Sequence, residues 1–231
     1  MKQIIPILAA ALMLALPVSS RAQERPVVVE LFTSQGCSSC PPADEFMQQL
    51  AARRDVIALS LHVDYWDYIG WADSFANPAY SLRQHGYARA ASATTVYTPQ
   101  MVINGQDHVV GSRPMQVMDL IQAHRARGLP VKITLARAGE HVSIAATPGP
   151  QGDYVVQLVR FRPEETVSIG SGENAGRAVT YANIVTGWDV VTRWDGADAL
   201  ALDVEAEGPD PLAVIIQAAS EGPIVGAAQL R

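Results

Sequence analysis

"RPVVVELFTSQGCSSCPPADEFMQQL", residues 25–50, runs from a β-branched stretch through a glycine turn, two cysteines and a proline pair into an amphipathic segment. The run "RPVVVELFT" (25–33) suits a strand buried on both faces, as in parallel sheets. In "PPADEFMQQLAARR" (41–54), Phe46, Met47, Leu50 and Ala51 fall at helical spacing. Asp44 and Glu45 come early in that segment and Arg53 and Arg54 late, as the helix dipole favours. "DVIALSLHVD" (55–64) reads as a second buried strand, so the cysteines sit where the strand of a β-α-β unit hands over to a helix N-terminus. Pro41 and Pro42 each lack an N–H and bias the preceding residue away from helix, so the regular helix is expected to begin at Pro41.

Further along, "YWDYIGWADSF" (65–75) is unusually aromatic for a connection. "NPAYSLRQHGYARAA" (77–91) reads as a helix opened by Asn77 and Pro78. "TVYTPQMVINGQDHVVGS" (95–112) holds two apolar runs joined by Asn104-Gly105, a type I′ hairpin signal. "RPMQVMDLIQAHRARG" (113–128) reads as a helix with Pro114 at its start and Gly128 at its stop. From Leu129 the pattern changes to seven short runs separated by Gly, Pro and Asp with no helical period, which predicts an antiparallel sandwich. The expected architecture is an α/β domain over 23–128 followed by an all-β sandwich-like domain over 129–231, with the boundary at Gly128-Leu129-Pro130.

The first residues read as a signal peptide over 1–22: Lys2 precedes an apolar stretch, Ile4 to Leu16, and Ser20 and Ala22 are the small residues before a cleavage site. Thirteen apolar residues fall short of the ~20 that a transmembrane helix needs. Cleavage after Ala22 removes Lys2 and Arg21 and takes the formal charge from −6 to −8, which argues against nucleic acid or an anionic membrane as partner. A composition of 48% apolar and 17% charged residues is that of a folded chain. The expected location is periplasmic or secreted, where disulfides form and persist.

Cys37 and Cys40, three apart, are the only cysteines. Residues i and i+3 at a helix start share a face, and unpaired N–H groups there lower a thiol pKa to ~3.5–7.5 from about 8.5, so a redox pair is one reading. A structural staple is a second, although closing a four-residue loop constrains the unfolded chain by only about 1.9 kcal/mol against about 4.7 for a hundred-residue loop. A metal clip is the third. Structural zinc needs a second ligand pair, which the sequence lacks, whereas Cu(I) would accept both thiolates with His62 or a methionine.

"VVVELFTSQGCSSCPPADE", followed by a strand, a helix, "VYTPQMVINGQ" and a last helix, resembles the thioredoxin fold over residues 25–128. More narrowly, "ELFTSQGCSSCPPAD" and "GENAGR" resemble a family of exported bacterial thioredoxin-like proteins catalogued as a domain of unknown function. The resemblance implies Cys37 as exposed nucleophile and Cys40 as buried resolving thiol. It implies Pro99 as a cis proline facing the disulfide, with Thr98 pairing its backbone to a substrate peptide. Glu30 falls near the strand acid that relays a proton to the resolving cysteine; its other reading is an ordinary strand-end carboxylate. In place of the tryptophan that precedes the first cysteine in thioredoxins stands Gly36.

Of the remaining candidates, Tyr65, Trp66, Tyr68 and Trp71 either wall a peptide groove or pack over the sheet edge. His62 reads as a core-edge histidine, and Asp64 and Asp67 as caps or solvated groups. "GSGENAGR" (170–177) lacks the lysine of a phosphate loop and reads as a turn. The expected function is that of an exported thiol–disulfide oxidoreductase. It would act on exported client proteins with thiols or disulfides and be recharged by a separate redox partner, with no cofactor or metal and the redox direction open. The alternatives are a copper-carrying module using the same thiols and a non-catalytic adaptor with a structural disulfide.

Overall fold

A computed structural model describes residues 26–206 and 208–231; the segment read as a signal peptide lies outside them. The elements in chain order are β1 (Val27–Thr33), α1 (Pro41–Ala51), β2 (Val56–His62), a 3₁₀ turn (Asp67–Ile69), α2 (Pro78–Ala90), β3 (Gln100–Ile103), β4 (Asp107–Val110) and α3 (Pro114–Arg127). Seven strands follow: β5 (Ile133–Ala138), β6 (His141–Ala146), β7 (Tyr154–Ser168), β8 (Ala178–Trp194), β9 (Leu200–Glu205), β10 (Leu212–Ala218) and β11 (Ile224–Leu230).

The local signals have physical counterparts. Cys40 is the N-cap of α1, and helix begins at Pro41. The Asn77 side chain caps α2 by accepting from the Ala79 N–H at 2.9 Å. Asn104 and Gly105 turn the β3–β4 hairpin with φ of 47° and 67°, the left-handed pair that a type I′ turn requires.

The long-range arrangement overturns the expected fold class, an α/β thioredoxin-like domain followed by a separate all-β sandwich. The chain is mostly β, with three α-helices among the described residues, and one mixed sheet of eight strands is ordered β11-β10-β7-β8-β2-β1-β3-β4. Four strands of the second half thus join the four of the first. Only β5, β6 and β9 stand apart, as a three-stranded antiparallel sheet.

Polar side chains make the seam. β2 and β8 share one ladder pair, Ser60 with Ile184. The Ser60 hydroxyl donates to the Ala182 carbonyl at 2.8 Å, and the Asn183 amide donates to the Ala58 carbonyl at 2.8 Å. The open edge of β2 needs a partner, and β8 supplies it. Runs as uniformly apolar as "VIALSL" do not reveal in sequence which strand that partner is.

Three cores result. Val27, Val29 and Leu31 of β1 pack with Met47 and Leu50 of α1 and Val117 and Ile121 of α3 on one face of the sheet. Val28 and Phe32 point the other way, toward Tyr80 and Tyr87 of α2. The small sheet buries Ile133, Val142 and Ile144 against Val156, Leu158, Val214 and Ile216 of β7 and β10. β1 and β2 are parallel, so both deliver their C-terminal ends to the edge where the cysteine loop leaves β1. No described helix is long and apolar enough to cross a membrane.

Candidate functional site around the Cys37–Cys40 disulfide

The two cysteines are joined as a disulfide with their Cα atoms 5.4 Å apart. The turn that holds them is backbone-bonded, Cys37 N–H to the Ser34 carbonyl at 3.1 Å and Cys40 N–H to the Cys37 carbonyl at 3.2 Å. Cys37 is 2% exposed and Cys40 is wholly buried, while Ser38 and Ser39 between them are exposed. The Ser39 hydroxyl lies 3.4 Å from the Cys37 sulfur and donates to the Thr98 carbonyl at 3.3 Å. In this disulfide form Cys37 is therefore not the exposed residue that the resemblance implies: it is buried, and the exposed surface over the pair is Ser38 and Ser39.

Thr98-Pro99 is a cis peptide. Gly111 seats this proline beside α1: a Cβ there would lie 3.1 Å from Ala43 Cβ and 3.2 Å from Pro99 Cβ, so a side chain would push the two apart. The Thr98 hydroxyl accepts from the Trp66 indole N–H at 2.7 Å. Cys37, Cys40, Thr98 and Pro99 thus meet at one end of the sheet.

Glu30 is not brought into that group. On β1 it alternates with Val29 and Leu31 and faces α2, on the side of the sheet opposite α1. Arg83 donates to its two oxygens at 2.6 and 3.0 Å, and the Tyr87 hydroxyl donates to it as well. The carboxylate on the cysteine side is Asp44. It lies on the first turn of α1 with 2% exposure, and its Oδ1 accepts from the Thr33 hydroxyl at 2.7 Å. In the sequence Asp44 is an ordinary dipole-matching acid; its burial appears only when Thr33, His62, Asp73 and Tyr181 gather around it.

Burial pushes the Asp44 carboxyl up to about 7, with His62 and the Thr33 hydrogen bond opposing and Asp73 adding to the rise. A folded-state pKa above the unfolded one means that the folded chain holds this proton more tightly. The stability it contributes is complete below about pH 4 and is lost as pH rises through about 7. Asp44→Asn keeps the acceptor for Thr33 and removes the titration. It is expected to flatten the fall in stability between these limits by a few kcal/mol, read from urea unfolding at pH 4.5 and pH 8.

The aromatic connection packs on the cysteine loop, and Asp73 organises it. Asp73 Oδ2 accepts from the Gln35 N–H at 2.8 Å and is hydrogen-bonded to His62 Nδ1 at 2.7 Å. The Trp71 indole donates to Gln35 Oε1 at 2.8 Å. A Cβ on Gly36 would meet Trp66 Cβ at 3.3 Å and Ile69 Cδ1 at 3.4 Å. Gly36 thereby leaves the room that Trp66 occupies from another part of the chain. Tyr68, 80% exposed, stacks on Trp66 at 6.5 Å between ring centroids, and Tyr97 is 38% exposed. The rim of the site is aromatic and open.

Asn174 is the residue that the sequence concealed. The turn "GSGENAGR" joins β7 to β8, and its tip lies over the cysteine loop. The buried Asn174 amide donates to the Gln35 carbonyl at 2.9 Å and the Cys37 carbonyl at 3.0 Å. Ser171 donates to the Gly70 carbonyl at 2.6 Å. Only the distance of 137 residues between Asn174 and Cys37 hides this, since the turn itself is legible. Three surface cavities of about 460, 410 and 500 Å³ are lined by α3, by Ser74–Tyr80 with β8, and by the Gly152 and Trp194 region, away from the cysteines. Among the described residues no three His, Cys, Asp or Glu side chains gather to hold a metal.

The X-ray crystal structure of protein AGR_C_4864 from Agrobacterium tumefaciens is similar at 38% identity, with a TM-score of 0.79 over 90% of this chain and 96% of that one. HBP35 of Porphyromonas gingivalis shares the fold at 12% identity, with a TM-score of 0.62 over 90% of this chain and 75% of that one. No curated protein matches the sequence. The family profile described as "Protein of unknown function (DUF1223)" matches residues 28–217, which takes in the cysteine loop, the aromatic connection and the Asn174 turn, and the chain belongs to that family.

Proposed function

We propose that the protein is an exported thiol–disulfide exchange protein acting through Cys37 and Cys40 on other exported proteins. The observation that carries this reading is the position of the pair. It forms a four-residue disulfide loop at the N-cap of α1, with exposed Ser38 and Ser39 over it and exposed Tyr68 and Tyr97 at its rim. So short a loop adds about 2 kcal/mol to stability by chain entropy, a weak reason to keep a disulfide for structure alone. Pro41 and Pro42 bring no N–H to the start of α1, and the Ala43 and Asp44 N–H groups bond the Cys40 carbonyl, so the support for a thiolate at Cys37 is the helix dipole and the Ser39 hydroxyl 3.4 Å from its sulfur. Exchange proceeds by attack of a thiolate on a disulfide, a mixed disulfide, and resolution by the second thiol. The aromatic rim offers apolar contact to a client segment, and the Ser39 hydroxyl links the Cys37 sulfur to the Thr98 carbonyl.

The test is turnover of a disulfide-bonded protein by the mature chain in the presence of a dithiol. Activity in the parent and its absence in Cys37→Ser support the reading; equal rates with and without the protein overturn it. Export is part of the same reading, motivated by the apolar stretch and the small residues at Ser20 and Ala22. N-terminal sequencing of protein from the periplasm or medium is expected to begin near Gln23, and an intact Met1 in the membrane fraction would contradict it.

A further inference from the structure

We propose that Asp44, rather than Glu30, passes the proton to and from Cys40 as the disulfide opens and closes; this assignment rests on the exchange function proposed above. Cys40 and Asp44 lie one turn apart on α1, and Cys40 already has helical backbone angles (φ −79°, ψ −35°). Positions i and i+4 share a helix face with Cβ atoms about 5–6 Å apart. Asp44 Oδ1 is held by Thr33, whereas its Oδ2 is buried without a hydrogen-bond partner. Unsatisfied buried carboxyl oxygens are costly, so a native one calls for an account. In the disulfide state Cys40 has no S–H to offer; in the dithiol state it gains one, and this acceptor lies on its face of the helix. Glu30 has no such vacancy, because Arg83 and Tyr87 occupy its oxygens on the far side of the sheet.

The proton balance closes without another reagent. A client thiolate attacks the Cys37 sulfur, and the Cys37–Cys40 bond breaks as the bond to the client forms. The electron pair leaves on the Cys40 sulfur, at a wholly buried position where burial disfavours charge. The protonated Asp44 carboxyl neutralises it and becomes a carboxylate. In the reverse sense the Cys40 thiol gives its proton to the Asp44 carboxylate, attacks the Cys37 sulfur and releases the client thiolate. The client's own thiols supply or receive the two electrons. A carboxyl raised to about 7 is able both to give and to take a proton in the neutral range. The groups facing Asp44 are Thr33 on β1, His62 on β2, Asp73 in the aromatic connection and Tyr181 on β8. Of these, His62 is fixed through Nδ1 on Asp73, and its Nε2 is also without a partner.

The experiment uses the reduced mature protein and oxidised glutathione in a single turnover, quenched with acid and read by mass spectrometry. The first rate is formation of the glutathione mixed disulfide at Cys37, and the second is its resolution by Cys40. In the parent, resolution is expected to rise with pH through about 7 and then level off. Asp44→Asn is expected to slow resolution about 10- to 100-fold at pH 7, to move its rise to the pKa of the Cys40 thiol, and to leave the first rate unchanged. Asp44→Glu is expected to recover part of the rate, and Thr33→Val, which loses only the hydrogen bond, most of it. Resolution within twofold of the parent in Asp44→Asn, or both rates falling together, overturns the assignment while leaving exchange standing. If Asp44→Asn does not fold, the parent decides, since resolution that keeps rising past pH 8 without levelling overturns the assignment. A parent that forms no mixed disulfide at all overturns the exchange reading, and this assignment with it.

Discussion

Cys40→Ser is expected to accumulate client proteins as long-lived mixed disulfides through Cys37, whereas Cys37→Ser accumulates few, and each loses at least about a thousandfold in turnover of a disulfide-bonded protein. The asymmetry comes from the turn. Cys37, 2% exposed, has its sulfur 3.4 Å from the hydroxyl of exposed Ser39, which donates to the Thr98 carbonyl. Cys40 is wholly buried at the N-cap of α1. Exchange requires the thiol at 37, just beneath the exposed serines, to meet the client first, and the deeper one at 40 to meet only the sulfur at 37. The check is recovery of disulfide-linked complexes from cells producing each variant on non-reducing gels, with release by dithiol. Equal yields from both variants, or none from either, would count against the order of attack.

The largest stability effect is expected on the other face of the sheet. Glu30 is wholly buried and Arg83 has 10% side-chain exposure, and their ion pair is closed by hydrogen bonds from Arg83 to Tyr87 at 2.8 Å and Gln217 at 2.9 Å. The guanidinium also lies 3.9 Å from the ring centroid of Trp188 on β8. Arg83 therefore joins α2, β1, β8 and β10 in one buried network. Arg83→Ala leaves a carboxylate in the core without its cation and is expected to cost about 3–5 kcal/mol in urea unfolding. Arg83→Met with Glu30→Gln removes both charges and is expected to recover most of that loss. A single-variant loss below about 1 kcal/mol would show that the pair is solvated in solution, contrary to the structure.

Local chemistry was legible in this sequence, and long-range pairing was not. Asn77 announces a cap, Asn104-Gly105 a left-handed turn and Pro41 a helix start, because each acts on the backbone within a few residues. The strand runs after Leu129 were also visible, but their partners were not. β10 reads "LAVIIQA" and buries its first six residues, a pattern that states burial on both faces and says nothing about neighbours. The union of the two halves turns on Ser60 and Asn183, polar residues whose meaning appears only when β2 and β8 meet.

The site divides in the same way. The cysteine spacing could be read from the chain, while the Thr98-Pro99 position came only from the resemblance. Asp44 could not, because an acid in a first helical turn is ordinarily exposed and its burial appears only when Thr33, His62, Asp73 and Tyr181 gather around it. Asn174 and Trp66 reach the cysteine loop from distant segments, Trp66 over the glycine that replaces an expected aromatic. The aromatic residues themselves serve both readings: Trp66 and Trp71 pack and bond to the loop, and Tyr68 stays open.

The central claim is that the Cys37–Cys40 pair is a working redox couple and not an inert staple. Its reduction potential tests this most directly, measured by equilibrating the mature protein in graded thiol–disulfide buffers, trapping free thiols by alkylation and weighing the products. A pair in active exchange is expected between about −120 and −270 mV, the span of thioredoxin-type and oxidase couples. A value below about −300 mV, where structural disulfides of secreted proteins lie, would contradict the account.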